Sequence, residues 1–150
     1  MASEAELLQT KLLQVDVVSP EGAMYSGKAS MVFIKGQEGE LGIKPGHSQL
    51  LTKVAPGTIR IQHFDGKEDL LFVAGGVLEI QPHHISVLAD TVVRPQDINE
   101  QAAQEAINNA RNALADKPEK LTAEELRYQL AESLAKLEML KFIRQKRSHF

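Results

Sequence analysis

Cysteine is absent from the chain, so disulfides, thiolate zinc sites, iron–sulfur clusters and cysteine nucleophiles are all excluded. A reducing, cytoplasmic setting fits that absence. The first residues, MASEAELLQTKLLQV, carry two glutamates and lack the basic start and long apolar run of a signal peptide. No stretch reaches the roughly 18 apolar residues needed to cross a bilayer as a helix. The expectation is a chain neither secreted by a signal peptide nor transmembrane. An excess of positive charge is also missing: Lys+Arg number 17 against Asp+Glu 20, a net charge of -3, which argues against a general nucleic-acid binder. What is present suits a folded protein, with 43% hydrophobic and 25% charged residues in 150 positions, enough for one domain with an appendage.

The composition changes at Pro95. All 10 glycines lie between Gly22 and Gly76, and Val, Ile and Thr make up 20 of the 86 residues from Thr10 to Pro95 but 4 of the 55 after it. Glycine supplies positive-φ turns and β-branched side chains suit a pleated surface, so the first part reads as all-β. Strands are expected at 12–18, 29–35, 49–54, 58–64, 69–74, 77–81, 84–89 and 91–94. Many short strands with frequent turns indicate an antiparallel sandwich or barrel. Ile59 and Ile61 alternate with Arg60 and Gln62, and Asp65-Gly66 matches a two-residue hairpin turn with both central residues at positive φ. Strand 84–89 alternates less cleanly and reads as covered on both faces.

Beyond Pro95 the grammar is helical. Asp97 with Glu100, and Thr122 with Glu125, have capping-box spacing, and Leu121 with Leu126 that of a hydrophobic staple. Between the two starts, Asp116-Lys117-Pro118 interrupts the helix. The first helix carries a seam of mostly small residues, Ile98, Ala102, Ala106 and Ala110, with Ala103, Ile107 and Leu114 alongside. The second carries a stripe of Leu126, Leu130, Leu134, Leu137 and Leu140, with Glu132 and Lys136 at i, i+4 outside it. The whole reads as α+β: an N-terminal extension (1–11), an antiparallel β-sandwich (12–95) and an antiparallel two-helix hairpin (96–150).

A search for chemistry finds little. Adjacent His83 and His84 would point to opposite faces of a strand and cannot chelate one ion together. His47 beside Ser48 has no acidic orienter, and Gly75-Gly76 lacks a phosphate-loop pattern and reads as a turn or bulge. Glu38 and Glu40, among Gly36, Gly39 and Gly42, read as a solvated acidic loop. Lys141, Arg144, Lys146 and Arg147 exceed what helix-end capping needs and suit docking on an acidic protein surface or on phosphates. A nucleic-acid-binding β module with a basic helical tail is the alternative reading. It requires steeply salt-dependent binding.

The run Gly36-Gln37-Glu38-Gly39-Glu40-Leu41-Gly42-Ile43-Lys44-Pro45-Gly46-His47 resembles the signature loop of the epsilon subunit of bacterial-type rotary, proton-translocating ATP synthases. Leu50-Leu51, Pro56-Gly57, the segments 75–80 and 87–91, and the helical hairpin follow in the same order, so the resemblance runs from about Leu12 to about Arg147. It implies a non-catalytic rotor subunit without cofactor or metal, peripheral on the cytoplasmic face of the bacterial plasma (inner) membrane. The sandwich would bind the gamma subunit and touch the c-ring, with Glu40 as the acidic contact and Glu38 and His47 nearby. The hairpin would fold on the sandwich or extend into the catalytic alpha/beta ring and block hydrolysis, with Lys141, Arg144, Lys146 and Arg147 as tail contacts. Some relatives bind ATP through I/L-D-x-x-R-A. Here Ile98-Asn99-Glu100-Gln101-Ala102-Ala103 puts Asn99 for Asp and Ala102 for Arg, which implies weak or absent nucleotide binding.

Overall fold

The computed structural model describes residues 3–148, with no account of the side chains of Leu8, Gln9, Arg147 and Ser148. The chain divides into two compact units, one through Val92 and one from Val93.

The first unit opens with a short helix, α1 (Glu4–Thr10), started by a capping box. Ser3 Oγ accepts from the Glu6 N–H at 3.2 Å while Glu6 Oε2 accepts from the Ser3 N–H at 3.3 Å. Ten strands follow: β1 (Leu13–Ser19), β2 (Gly22–Ala29), β3 (Met31–Gly36), β4 (Gly39–Ile43), β5 (Leu50–Lys53), β6 (Gly57–Gln62), β7 (Glu68–Ala74), β8 (Val77–Gln81), β9 (His84–Leu88) and β10 (Thr91–Val93). They form two five-stranded sheets, β2-β1-β9-β8-β5 and β10-β7-β6-β3-β4. Antiparallel pairing joins β1 to β2, β9 to β8 to β5, and β7 to β6 to β3 to β4, whereas β1 and β9 run parallel, with Val15 opposite Ile85 and Val17 opposite Val87.

Period-two alternation explains the core. Leu13, Val15 and Val17 of β1, Ile59 and Ile61 of β6, Leu78 and Ile80 of β8, and Ile85 and Val87 of β9 are all buried in one cluster with Val32, Ile34 and Ile43. Burying these side chains supplies roughly 1.5–3 kcal/mol each before conformational entropy is subtracted. The expectation that the ninth strand is covered on both faces is corrected: His84 and Leu88 are exposed, so β9 alternates like its neighbours.

Three local expectations change. β2 was not anticipated, and 39–43 is a strand rather than a loop: β4 pairs with β3 through Gly36↔Gly39 to Val32↔Ile43. The hairpin joining β6 to β7 exists, but its connection spans residues 63–67 and only Gly66 takes positive φ (+86°). Asp65 instead accepts the Lys67 N–H on its side chain at 2.9 Å, and the Gly66 N–H donates to the His63 carbonyl at 3.1 Å, a turn closed by one left-handed glycine. Gly75 and Gly76 do form a tight turn, with φ of +69° and +91°, and it carries the chain from one sheet to the other.

In the second unit a single 3-10 turn at Pro95–Asp97 precedes the helices. α2 (Glu100–Ala115) and α3 (Lys120–Ser148) pack as an antiparallel hairpin joined by residues 116–119, where Lys117 adopts φ +51°. Neither expected capping box forms. Asp97 belongs to the 3-10 turn and Ile98 after it is extended, so the cap of α2 moves two residues on, from Asp97 to Asn99. In α3 the Ala123 N–H already donates to the Glu119 carbonyl at 2.8 Å, which places Thr122 inside the helix, and Leu121 is exposed rather than stapled to Leu126. The seam of α2 consists of buried Ala103, Ile107 and Ala110, with Ala102 and Ala106 exposed. The leucine stripe of α3 is only half-buried. Its fully buried positions are Ala123, Ser133, Ala135 and Met139, which at 100° per residue fall on two faces instead of one.

Candidate functional site

The acidic run is held in a hairpin. β3 and β4 are joined by Gln37-Glu38, and the Gln37 N–H donates to the Lys53 carbonyl at 3.0 Å. Glu38 is exposed in the turn. Glu40 is exposed on β4 directly opposite Lys35, an opposite-charge cross-strand pair. His47 lies elsewhere. It follows the Pro45-Gly46 turn, where Gly46 takes φ +85° and its N–H donates to the Pro82 carbonyl at 2.6 Å. Lys53 pairs with Val77 at the start of β8 and Pro82 follows its end. Glu38 and His47 therefore mark opposite ends of a strand of about 17 Å. The structure groups Glu38 with Glu40 and separates both from His47. The half-buried His47 ring donates through Nδ1 to the Ser48 carbonyl at 2.8 Å, a contact that orients it without activating the Ser48 hydroxyl.

The basic tail residues do not form one patch. Lys141 is exposed on α3. Arg144 forks onto Glu100 at the start of α2, with Nη1 donating to Oε1 at 3.0 Å and Nη2 to Oε2. The guanidinium holds the Glu100 carboxyl below its usual range, and the carboxylate in turn raises Arg144. Lys146 places Nζ 5.5 Å from the centre of the Phe142 ring. The side chain of Arg147 lies outside the described residues.

At the start of α2, Asn99 Oδ1 accepts from the Ala102 N–H at 3.0 Å. Beside them is a cavity of about 270 Å³ lined by Asp97, Asn99, Ala102, Ala106, Ser133 and Lys136. The basic side chain lining it, Lys136, lies 3.9 Å from Glu132.

Two polar networks went unread in the sequence. On the outer face of the first sheet, Asp16 accepts from Ser26 Oγ at 2.7 Å and meets His84 Nε2 at 2.7 Å, with Gln14 donating to Asp16 at 3.3 Å. The Ser26 hydrogen bond is the leading cause that holds the Asp16 carboxyl low. Ser86 Oγ reaches the same His84 Nε2 at 3.4 Å, so the imidazole cannot relay a proton from serine to aspartate through its two nitrogens. The second network links β2 to the β6–β7 hairpin. His63 Nε2 meets Asp69 at 2.7 Å and His63 Nδ1 meets the Lys28 carbonyl at 3.1 Å. Burial, then Asp69, pushes the Tyr25 hydroxyl up to about 12. His63 is raised by its hydrogen bond to Asp69. The partners in these networks stand up to 68 residues apart, so only sheet register brings them together.

Among the described residues no group of three or more His, Cys, Asp or Glu side chains could hold a metal, and no buried side-chain polar atom lacks a partner.

Residues 12–95 match the family model of the ATP synthase delta/epsilon chain β-sandwich domain. The chain belongs to this family. It is 45% identical over 136 residues to the ATP synthase epsilon chain of Janthinobacterium sp. (strain Marseille), covering 90% of this chain and 97% of that one. It is 43% identical over 134 residues to the epsilon chain of Alkalilimnicola ehrlichii, covering 89% and 96%. A chain in the cryo-EM structure of the Euglena gracilis mitochondrial ATP synthase, solved as an OSCP/F1/c-ring assembly, shares the fold with a TM-score of 0.76 at 18% identity, over 87% of this chain and 82% of that one. As a member of the epsilon family, the chain is a non-catalytic central-stalk subunit of ATP synthase.

Proposed function

We propose that the sandwich joins the gamma shaft to the c-ring on the cytoplasmic face of a bacterial plasma membrane, and that the α2–α3 hairpin restrains ATP hydrolysis when it leaves its folded state for the catalytic alpha/beta subunits. The observation that carries this reading is the division of the molecule into two compact units, a two-sheet sandwich and a helical hairpin. A close-packed two-sheet core is stiff, which suits an element that transmits torque. Its outer face offers a protein partner exposed Leu51, Val77 and Leu88, with Val77 and Leu88 directly opposite each other across β8 and β9. Glu38 and Glu40 are proposed to meet the polar loops of the c-ring, and His47 a separate point about a strand's length away. Lys141, Arg144, Lys146 and Arg147 are proposed to serve the extended tail.

The energetics are compatible with a switch. An alanine-rich seam buries less apolar area than a leucine zipper, so the folded hairpin need be only slightly favoured. A swing from 1:99 to 99:1 takes roughly 5.5 kcal/mol of differential contact. Affinity purification of the tagged chain from detergent-solubilised membranes tests the assembly. Gamma and the c subunits should co-purify with it, and recovery without either contradicts the reading.

A further inference from the structure

The Glu100–Arg144 pair joins the first turn of α2 to the last turns of α3, closing the end of the hairpin opposite its loop. It is bidentate, the most directional form an ion pair takes. It is also exposed, with 50% of the Glu100 and 61% of the Arg144 side chain accessible, so solvent and competing carboxylates can reach it. Residue 100 stands one position past the Asn99 cap, and its carboxylate is spent on Arg144 instead of reaching back to a capping residue. Lys141 and Arg144 are three residues apart on the same side of α3. Any acidic surface that takes the cations of this side must take Arg144 as well.

We propose that Glu100 and Arg144 form a competitive latch: the guanidinium is held by Glu100 in the closed hairpin and by a carboxylate of an acidic partner surface when the hairpin opens, and never by both at once. This regulation rests on the proposed hairpin switch, whereas the closing contact itself belongs to the isolated chain. The latch makes opening sensitive to ionic strength, because an exposed ion pair is screened by salt. It also makes the two partners of Arg144 separable by mutation. Removing the Glu100 charge weakens only the closed state, while removing the Arg144 charge weakens both.

The absence of cysteine allows a clean test in the full-length chain. Spin labels on Gln104→Cys and Glu138→Cys, both exposed and on opposite helices, report hairpin opening as a distance distribution. Glu100→Gln and Arg144→Glu should each raise the open population by about two- to fivefold. The exchanged pair E100R/R144E should bring it back, with helical content by circular dichroism unchanged throughout. Raising the salt should open the native chain and leave Glu100→Gln little affected. Unchanged distances in both single variants, or an exchanged pair that stays as open as Arg144→Glu, overturns the latch. In the assembled synthase, Glu100→Gln should lower ATP hydrolysis and Arg144→Gln should not, and equal rates for the two variants overturn the competition. If the label experiment succeeds while truncation of the tail leaves hydrolysis unchanged, the latch stands and the regulatory reading fails.

Discussion

Asn99 Oδ1 accepts from the Ala102 N–H at 3.0 Å, so the two positions at which this chain departs from the nucleotide-binding motif are partners in one helix cap. The cap satisfies one of the four amide donors that a helix start leaves open. No guanidinium projects from position 102 toward a phosphate, and the basic side chain lining the adjoining cavity, Lys136, is paired with Glu132. Isothermal titration of ATP into the full-length chain should show no tight binding, and a micromolar or tighter isotherm refutes this.

The same cap makes a stability prediction. Asn99→Ala should lower the unfolding free energy by about 1 kcal/mol in urea titrations, while Asn99→Asp, which keeps an acceptor, should cost little. Equal losses in both variants would show that the side-chain acceptor is not what stabilises the start of α2.

Gly76 should be intolerant of any side chain. It takes φ +91°, and a Cβ there would stand 1.9 Å from the Leu88 carbonyl oxygen, which is backbone and cannot swing aside. Gly76→Ala should cost at least about 3 kcal/mol or prevent folding, whereas Gly22→Ala, with φ +125° but no heavy atom within 4 Å of the added Cβ, should cost less. Urea unfolding of both variants distinguishes steric clash from backbone strain alone.

The His63–Asp69 contact predicts a pH dependence. The hydrogen bond to Asp69 holds the His63 imidazole above its ordinary value of 6.5, so the protonated ring is stabilised by folding. That contribution is fully present below pH 6.5 and is lost as pH rises through the elevated folded value. Stability measured across neutral pH should therefore fall more steeply in the native chain than in His63→Gln. Asp16 acts in the opposite direction: its folded pKa is depressed below 3.8, so its contribution is present above that value and lost as pH falls through the lower one. Parallel profiles for the native chain and His63→Gln would remove His63 from the account.

Much of the sandwich was legible because its central strands alternate. β1, β6 and β8 announce themselves through Leu13-Val15-Val17, Ile59-Ile61 and Leu78-Ile80. β2 did not, since GAMYSGKA buries only Ala29 and owes its extended form to pairing with β1 from Leu13↔Ala29 to Ser19↔Gly22. β4 looked like a loop because of Gly39 and Gly42. At position 42 a Cβ would stand 3.2 Å from Met31 and 3.3 Å from Phe33, so glycine there makes room for larger neighbours. The S-x-x-E signal that caps α1 stands in the sequence at Ser3 and Glu6. At the hairpin, spacing alone could not choose between Asp97 and Asn99, because the extended Ile98 decides it. Glu100 and Arg144 lie 44 residues apart, and only the antiparallel packing of α2 on α3 brings them together.

The central claim is that a catalytically silent chain governs hydrolysis through its mobile helices. Removing residues from Ala115 onward, incorporating the truncated chain into the assembled synthase and measuring steady-state ATP hydrolysis tests this most directly. The account predicts a higher rate than with the full chain at equal incorporation, and an unchanged rate contradicts it.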